Sequence, residues 1–301
     1  MTLKLFHGIE LLQPQLGIPR LAFNGSGFFN LCVANSIDCH RPHNNVTSET
    51  EQFVIPGLPD KGPVSLFNRN ADDRLERGGE TSIRKHSCLD WLESKKPKSV
   101  LYICFGSLTR FSKTQISEIA SALEESRHSF IWAQDWWLPE EYEDRLKNSG
   151  KGLIIKGWAP QLLILEHPAI GGFLTHCGWN SILEGICAGL PMVTWPIFAE
   201  QFYNEKLITQ VLKVGVPVGN ETWKVWANEE SPLINRDKIE KAVRTVMGDT
   251  DEAMEMRKQA SRLEAFAKMT IEEGGSSCND LKALIEDIRT YKHATGRGES
   301  R

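Results

Sequence analysis

Short apolar runs recur along the middle of the chain, and a helix-like pattern follows each of them. The first run, SVLYICF at residues 99–105, is continuously apolar, rich in β-branched and aromatic residues, and followed by Gly106 and Ser107. Such a run is typical of a strand buried on both faces of a parallel sheet. Further strands are predicted at residues 130–133, 152–156, 172–175 and 192–195. Strands alternating with helices predict an α/β fold with a doubly wound parallel sheet.

The intervening and closing helices have recognisable starts and apolar faces. Ser112, with Gln115 three residues later, predicts a capping box at the start of one of them. Other helices are predicted from Cys88 with Trp91 buried, after Pro160, after Trp179, and at residues 200–212, 235–247, 252–273 and from 277 onward. Leu281, Leu284 and Ile285 fall on one face of the last helix, and the chain is predicted to be disordered from Lys292.

The first third of the chain is organised differently. Residues 16–31 are typical of a strand, a Gly-Ser-Gly corner and a helix start, whereas residues 38–79 are mostly polar and contain four prolines. We therefore divide the chain into an amino-terminal region at 1–67, a linker at 68–87, a nucleotide-binding domain at 88–287 and a carboxyl-terminal tail at 288–301.

Composition favours a small molecule over nucleic acid or a membrane as the partner. A net charge of -4 and a pI near 6.1 give no general attraction to nucleic acid or to an anionic membrane. No apolar run approaches the ~18 residues of a membrane span, and the first residues lack the apolar core of a signal peptide. The seven cysteines are scattered and include no CxxC pair, which indicates reduced thiols in a cytoplasmic protein and no zinc site.

Polar and aromatic side chains stand at the ends of the predicted strands. In an open α/β sheet, ligands bind outside the carboxyl ends of the strands, where helices begin. Four such corners are predicted, at 106–107, 158–161, 176–181 and 196–201. A helix start beside a histidine suits a pyrophosphate, an exposed indole suits a base, and carboxylate or amide groups suit sugar hydroxyls.

Each of these residues, taken alone, has a simpler explanation. A single histidine at a strand end is more often structural, a tryptophan is more often part of the core, and a glutamate at a helix start is more often solvated. Their occurrence together at successive strand ends favours a nucleotide site. The pair Trp136 and Trp137 is equally consistent with packing and with contact to a second substrate. A Rossmann dehydrogenase is disfavoured because no GxGxxG follows a predicted strand.

Residues 158–201, WAPQLLILEHPAIGGFLTHCGWNSILEGICAGLPMVTWPIFAEQ, resemble the signature box of plant UDP-dependent glycosyltransferases without a gap. Residues 88–291, including FGS, FAEQFYNEK and EEGGSS, are also similar to that family. The resemblance implies a GT-B fold and inverting glucosyl transfer from UDP-glucose, a co-substrate, to a small lipophilic acceptor such as a flavonoid or triterpenoid. No other cofactor and no metal are implied. The implied donor-binding residues are Ser107, Trp158, Ala159, Gln161, His176, Trp179, Asn180, Ser181, Glu184, Glu200 and Gln201.

The chain departs from the family before this box. In the family, a histidine in an amino-terminal loop deprotonates the acceptor hydroxyl, but His7 lies in LFHGIE, which does not match that loop. Residues 59–63 join segments that are well separated in the family. The resemblance therefore implies that residues 1–67 are an incomplete Rossmann-like domain, a truncated acceptor domain, and we assign no catalytic residue. Loss of a general base is expected to lower the rate on the order of 10²- to 10⁴-fold. The alternative is a non-catalytic UDP-sugar-binding protein that acts through partner chains.

Overall fold

The computed structural model describes residues 85–139, 141–223 and 232–295, with short pieces at residues 37, 40–41, 53–54 and 63–64. The predicted strand and helix start at 16–31 and most of the predicted linker lie outside the described residues. The described strands are β1 (Phe53–Val54), β2 (Pro63–Val64), β3 (Val100–Cys104), β4 (Ser129–Ala133), β5 (Gly152–Ile155), β6 (Ile170–Thr175), β7 (Met192–Thr194) and β8 (Gly215–Pro217). The helices are α1 (Lys85–Glu93), α2 (Lys113–Glu125), α3 (Tyr142–Ser149), α4 (Gln161–Leu165), α5 (Trp179–Cys187), α6 (Gln201–Lys206), α7 (Arg236–Met247), α8 (Asp251–Ile271) and α9 (Ser276–Thr295).

Six of these strands form one parallel sheet in the order β5-β4-β3-β6-β7-β8. β3 lies in the middle of the sheet. β4 and β5 extend the sheet on one side of β3, and β6, β7 and β8 extend it on the other side. This doubly wound order confirms the predicted fold class. It leaves β3 and β6 as neighbours at the point where the direction of winding reverses, which is where ligands bind in such sheets. The short β1 and β2 pair separately and are antiparallel.

Apolar side chains cover both faces of this sheet. Alternate residues of β3 enter opposite clusters, with Leu101 and Ile103 packing on one side and Val100 and Tyr102 on the other. The first cluster takes its helical side chains from α2, α3, α7 and α8. The second takes them from α1, α4, α5, α8 and the π-helical turn Leu207–Val211 that continues α6. Because both faces are buried, the strands need continuous apolar runs rather than alternation, which is why they were predictable from the sequence.

Several helix ends follow their predicted capping residues. The Ser112 hydroxyl accepts a hydrogen bond from the Gln115 backbone N–H, and Asn235 caps α7 in the same way. The capping box is only half right, however, because the Gln115 side chain does not return to Ser112. It is buried, and it donates to the Ile234 carbonyl at 2.8 Å and accepts from the Ile234 N–H at 2.9 Å. Gln115 thus fastens α2 to the segment that leads into α7.

Two elements of the structure were not predicted. Residues 142–149 form α3 between the strands predicted at 130–133 and 152–156, where no helix was predicted, and β8 adds an edge strand after the last predicted one. In α3 only Tyr142 and Leu146 are buried, so its apolar face is one residue wide per turn. β8 has three residues, one of which is Pro217. Within sheets, proline is found mainly in edge strands. Both patterns are too short to register as periodic.

The first and last described helices differ from the sequence predictions. The first helix, α1, begins at Lys85, inside the predicted linker, and Leu92 is buried in it whereas Trp91 is only half-buried. The last helix, α9, continues to Thr295 through the predicted tail, because the first helix-breaking residue after Ser276 is Gly296. Its apolar stripe is exposed and not packed on the sheet: Leu281, Leu284 and Ile285.

Candidate functional site

The loops after β3 and β6 meet around the imidazole of His176. A Cβ atom added to Gly106 would lie 2.8 Å from His176 Nε2, and one added to Gly178 would lie 2.5 Å from the same atom. Both distances are shorter than any real contact of a side-chain carbon, so a larger residue at either position would displace the imidazole. Gly106 also has a φ of 72°, which glycine adopts without strain. The ring is therefore held between two backbone segments.

Burial governs the chemistry of this histidine. It lowers the pKa of His176 to about 4, because the imidazolium form would lose its hydration. The ring is therefore neutral near pH 7 and acts as a hydrogen-bonding group rather than as a cation. Within the described part of the chain, its Nδ1 is buried and has no hydrogen-bond partner. A hydrogen bond with the Cys104 backbone offsets only part of the effect of burial on the pKa of the ring.

The turn after His176 is held in an unusual conformation by its neighbours. Cys177 has a φ of 66°, which is uncommon for a residue with a side chain. Its N–H donates to the Thr175 hydroxyl at 3.3 Å, and its carbonyl accepts from Asn204 Nδ2 at 2.8 Å. Asn204 lies on α6, so these bonds tie the loop after β6 to the helix after β7. The left-handed turn places Gly178 against the imidazole.

The start of α5 adds donors beside His176. Gly178 is the N-cap residue and no side chain caps the helix, so its first backbone N–H groups are open to a ligand. Asn180 is exposed, Ser181 is buried, and Trp179 is half-buried against the core. Ser107 is exposed in the loop after β3. These groups together offer the geometry of an anion site at a helix start.

A separate group of side chains lies on the α4 side of α5. Gln161, the first residue of α4, donates from Nε2 to Glu184 Oε2 at 2.5 Å and has a longer contact of 3.4 Å to the Ser181 hydroxyl. Trp158, three residues before Gln161, has 52% of its surface exposed, whereas the intervening Ala159 is buried. An exposed indole beside a hydrogen-bonded carboxylate and amide can present one flat face and several polar atoms to a ligand.

The corner after β7 differs from the sequence interpretation in one residue. Gln201 is buried, and its Oε1 accepts from the N–H groups of Ile197 at 2.8 Å and Phe198 at 3.0 Å. Its amide oxygen therefore shapes the loop and is not available to a ligand, so the amide cannot act as the bidentate group that the sequence suggested. Glu200 is half-buried and makes no capping bond at the start of α6.

Three residues with a part in this site were not predicted from the sequence. Tyr102 is buried in β3 and its hydroxyl reaches Gln161, Asn204 holds Cys177, and the carboxyl of Glu205 accepts from the Thr194 hydroxyl at 3.0 Å. All three lie in runs that look like ordinary core or helix sequence. No pattern in the sequence marks Asn204 and Glu205 as buried, which the structure shows them to be.

The tryptophans at 136 and 137 also separate into two roles. Trp136 packs against Phe105 at a centroid distance of 5.7 Å and against Phe111 at 5.1 Å, within an aromatic cluster that includes Trp195. Trp137 is exposed, with the Lys113 ammonium 5.1 Å from its ring centroid. Trp136 is thus explained by packing, and only Trp137 of this pair presents an exposed ring to a second substrate.

The described residues contain neither a cluster of metal ligands nor a membrane-spanning helix. Across 85–139, 141–223 and 232–295, no three His, Cys, Asp or Glu side chains lie together as a metal site would require. No helix in this part of the chain combines the length and the apolar character needed to cross a bilayer. The five cysteines described here are free thiols.

Comparison with known proteins identifies relatives of the whole domain. A sequence model of the family described as UDP-glucoronosyl and UDP-glucosyl transferase matches residues 83–257. Scopoletin glucosyltransferase of Nicotiana tabacum is 42% identical over 92% of this chain and 72% of its own length. Abscisate β-glucosyltransferase of Phaseolus angularis is 42% identical over 91% of this chain and 73% of its own.

Solved structures share the fold over most of the chain. A Glycyrrhiza uralensis protein crystallised with glycyrrhetinic acid 3-O-monoglucuronide superimposes with a TM-score of 0.85 and 34% identity, over 98% of this chain and 77% of the other. A Phytolacca americana protein, solved with UDP-2-fluoro-glucose and pterostilbene, has a TM-score of 0.74 and 29% identity, over 93% and 72%.

The alignment with the tobacco relative contains positions that have no counterpart in this chain. It extends over 347 residues but takes in only 92% of the 301 residues here, so the relative has residues inside the aligned stretch with no counterpart in this chain. The family match at 83–257 covers more than half of the chain, and the site described above lies within it. The chain belongs to the family of UDP-glucuronosyl and UDP-glucosyl transferases, as the signature box of residues 158–201 predicted.

Proposed function

We propose that this chain binds UDP-glucose at the ends of β3, β6 and β7 and transfers glucose to a hydroxyl group of a small lipophilic molecule. The observation that carries the proposal is the neutral imidazole of His176, held between Gly106 and Gly178 at an uncapped helix start. A diphosphate would accept hydrogen bonds from such a group and from the adjacent backbone N–H groups. The relatives named for scopoletin and abscisate support glucosyl transfer to a small acceptor.

Each part of the donor has suitable partners in this arrangement. The exposed face of Trp158 would stack on the uracil, with Ala159 and Gln161 beside it, and Glu184 would accept hydrogen bonds from the ribose. The phosphates would be bound by His176, Asn180, Ser181 and Ser107. The glucose would face Trp179, Glu200 and Gln201, where Gln201 has only its amide nitrogen to offer because its oxygen is bound internally.

The reaction in this family exchanges one bond at the sugar. The acceptor oxygen forms a bond to the anomeric carbon from the side opposite the diphosphate, the bond from that carbon to the diphosphate oxygen breaks, and the hydroxyl proton is lost to a base. Negative charge develops on the leaving UDP, and the donors at the start of α5 would stabilise it. This part of the machinery needs no charge on His176.

The first test of the proposal is UDP binding by a Trp158→Ala variant. Removing a stacked ring costs about 1–3 kcal/mol, so we expect the dissociation constant for UDP to rise about 5- to 150-fold in calorimetry. Because Trp158 is half exposed, the melting temperature should not change. Trp137→Ala is the matched control, since it removes another exposed tryptophan outside the donor site. Equal affinity in the two variants would contradict the proposed base site.

The second expected result concerns transfer. The tobacco relative has internal residues that this chain lacks, and the sequence around His7 does not match the histidine loop of the family. Both observations support a shortened acceptor domain. We therefore expect the chain to bind UDP-glucose but to transfer glucose slowly to a panel of flavonols and triterpenoids. Labelled UDP-glucose at a concentration shown by calorimetry to saturate the site would measure this. Rapid turnover would show that the acceptor machinery is complete.

A second candidate function is binding of UDP-sugars without transfer, through partner chains. It is favoured by apolar side chains that stay exposed on the last two helices: Phe266, Met269, Ile271 and Leu281. Exposed apolar patches often mark interaction surfaces. A cytoplasmic location belongs to both proposals and is supported by the free thiols. The transfer assay separates the two candidates, because a binding protein would show no product with any acceptor.

A further inference from the structure

Tyr102 is a core residue with one polar atom at the edge of the donor site. Its ring is fully buried in the middle of β3 and stacks on Phe173 with a centroid distance of 5.3 Å. Its hydroxyl lies 3.2 Å from Gln161 Oε1. Burial raises the pKa of the Tyr102 hydroxyl well above its usual value, so it keeps its proton. A phenylalanine would fill the same space, so the hydroxyl is the feature that needs an explanation.

The contacts of Gln161 fix the direction of its side-chain amide. A carboxylate can only accept hydrogen bonds, so the amide atom that lies 2.5 Å from Glu184 Oε2 has to be nitrogen. The amide oxygen then faces Tyr102, and the tyrosine hydroxyl is the donor in that contact. The three residues form a chain of hydrogen bonds that runs in one direction, from tyrosine to glutamine to glutamate.

This direction determines what the site can offer to a ligand. The two N–H bonds of the Gln161 amide point towards Glu184 and towards the Ser181 hydroxyl at 3.4 Å. What remains on Gln161 and Glu184 is oxygen lone pairs, which accept hydrogen bonds but do not donate them. A ligand that fits must therefore bring donors, and neighbouring hydroxyl groups on a sugar ring are such donors.

We propose that Tyr102 is a positioning residue that orients the Gln161 amide, and that it thereby makes the donor site select a ribose over a 2′-deoxyribose. This inference rests on the proposed function, in which Glu184 binds the ribose and Gln161, which is hydrogen-bonded to Glu184, lies beside the uracil. A 2′-deoxynucleotide lacks one of the two donors and leaves an acceptor of the site unpaired. Hydrogen bonds to charged groups are the stronger ones, so we expect UDP to bind at least about tenfold more tightly than 2′-deoxy-UDP.

Removing the tyrosine hydroxyl should reduce this preference. In Tyr102→Phe the ring still stacks on Phe173, but Gln161 Oε1 loses the donor that anchors it. The amide is then free to leave Glu184 for part of the time, and the acceptors are no longer held in one arrangement. We expect the ratio of the dissociation constants for 2′-deoxy-UDP and UDP to fall at least about threefold. A purely structural role would lower the affinity for both nucleotides by the same factor.

The experiment is calorimetry with UDP and 2′-deoxy-UDP on the wild-type chain, Tyr102→Phe and Trp158→Ala. The inference predicts a reduced ratio in Tyr102→Phe and a wild-type ratio in Trp158→Ala, which loses stacking common to both nucleotides. A wild-type ratio in Tyr102→Phe overturns the inference while leaving the proposed function intact. If the wild-type chain binds no UDP, the proposed function fails and the inference fails with it.

A second variant guards against a folding defect in Tyr102→Phe. Gln161→Met leaves the tyrosine in place and keeps a side chain of similar length, but it removes the amide that joins Tyr102 to Glu184. Because Gln161 is half-buried at the first position of α4, the change should be tolerated by the fold. It should lower the ratio as Tyr102→Phe does, and an unchanged ratio in Gln161→Met also overturns the inference.

Discussion

Replacing Gly178 with alanine should remove most of the affinity for UDP without unfolding the domain. The added Cβ atom would lie 2.5 Å from Nε2 of His176, so the imidazole has to move out of its position between the two loops. Gly178 itself has φ and ψ of -60° and 140°, which alanine adopts readily, and the backbone is therefore not strained by the change. A lost hydrogen bond to a charged phosphate is worth about 1.5–3 kcal/mol, so the dissociation constant should rise about 10- to 150-fold.

A double-mutant cycle shows whether the effect acts through the histidine. His176→Ala removes the ring that the new methyl group would strike, so Gly178→Ala should cost little further affinity in that background. Calorimetry with UDP on the two single variants and the double variant gives the coupling. Additive losses would mean that Gly178 is needed for its own backbone contacts and not to make room for His176. Thermal unfolding of each variant checks that the domain remains folded.

The parts of this fold that could be predicted are those in which one residue pattern leads to one structure. The apolar run before Gly106 is a strand because both faces of the sheet are covered, and Asn235 caps a helix because its side chain reaches a nearby N–H. The corners at 158–161, 176–181 and 196–201 follow from alternating strands and helices. These features are local, or they follow from the order of the elements.

The parts that could not be predicted depend on contacts between distant residues. Gln115 forms part of a capping sequence, yet its amide bonds to Ile234 because α2 and α7 lie side by side. Gln201 looked like a ligand-binding amide, but its oxygen closes the loop at Ile197. Tyr102 belongs to an apolar run, and only the approach of α4 gives its hydroxyl a role. Spacing along the chain contains no information about such pairs.

The loop after β6 is also linked to a buried acid on α6. Thr175 and Thr194 lie opposite each other on β6 and β7, and the hydroxyl group of each forms a hydrogen bond behind the site. The Thr175 hydroxyl accepts from Cys177, while the Thr194 hydroxyl donates to Glu205. Glu205 is next to Asn204, which holds the Cys177 carbonyl. The protonation of Glu205 therefore affects the stability of the helix that supports the phosphate loop.

Burial raises the pKa of Glu205 from 4.5 to about 7, and the charge of Lys206 and the bond from Thr194 only partly offset this. The folded state thus holds the Glu205 proton more tightly than the unfolded state does. As the pH rises from about 4.5 to about 7, the unfolded chain ionises first and folding becomes less favourable. Above this window the loss is complete, and a shift of this size corresponds to about 3 kcal/mol.

Glu205→Gln should remove this pH dependence, because a glutamine side chain carries no charge at any pH and its oxygen can still accept from Thr194. We expect the variant to match the wild-type chain near pH 4.5 and to be more stable by about 3 kcal/mol at pH 8 in urea unfolding. Glu93→Gln, at an exposed position, is the control and should leave the pH profile of stability unchanged. A constant difference in stability between Glu205→Gln and wild type across this pH range would show that folding does not change the pKa of Glu205. The expected gain also implies that the domain gives up stability at neutral pH to keep a carboxyl group behind the phosphate loop.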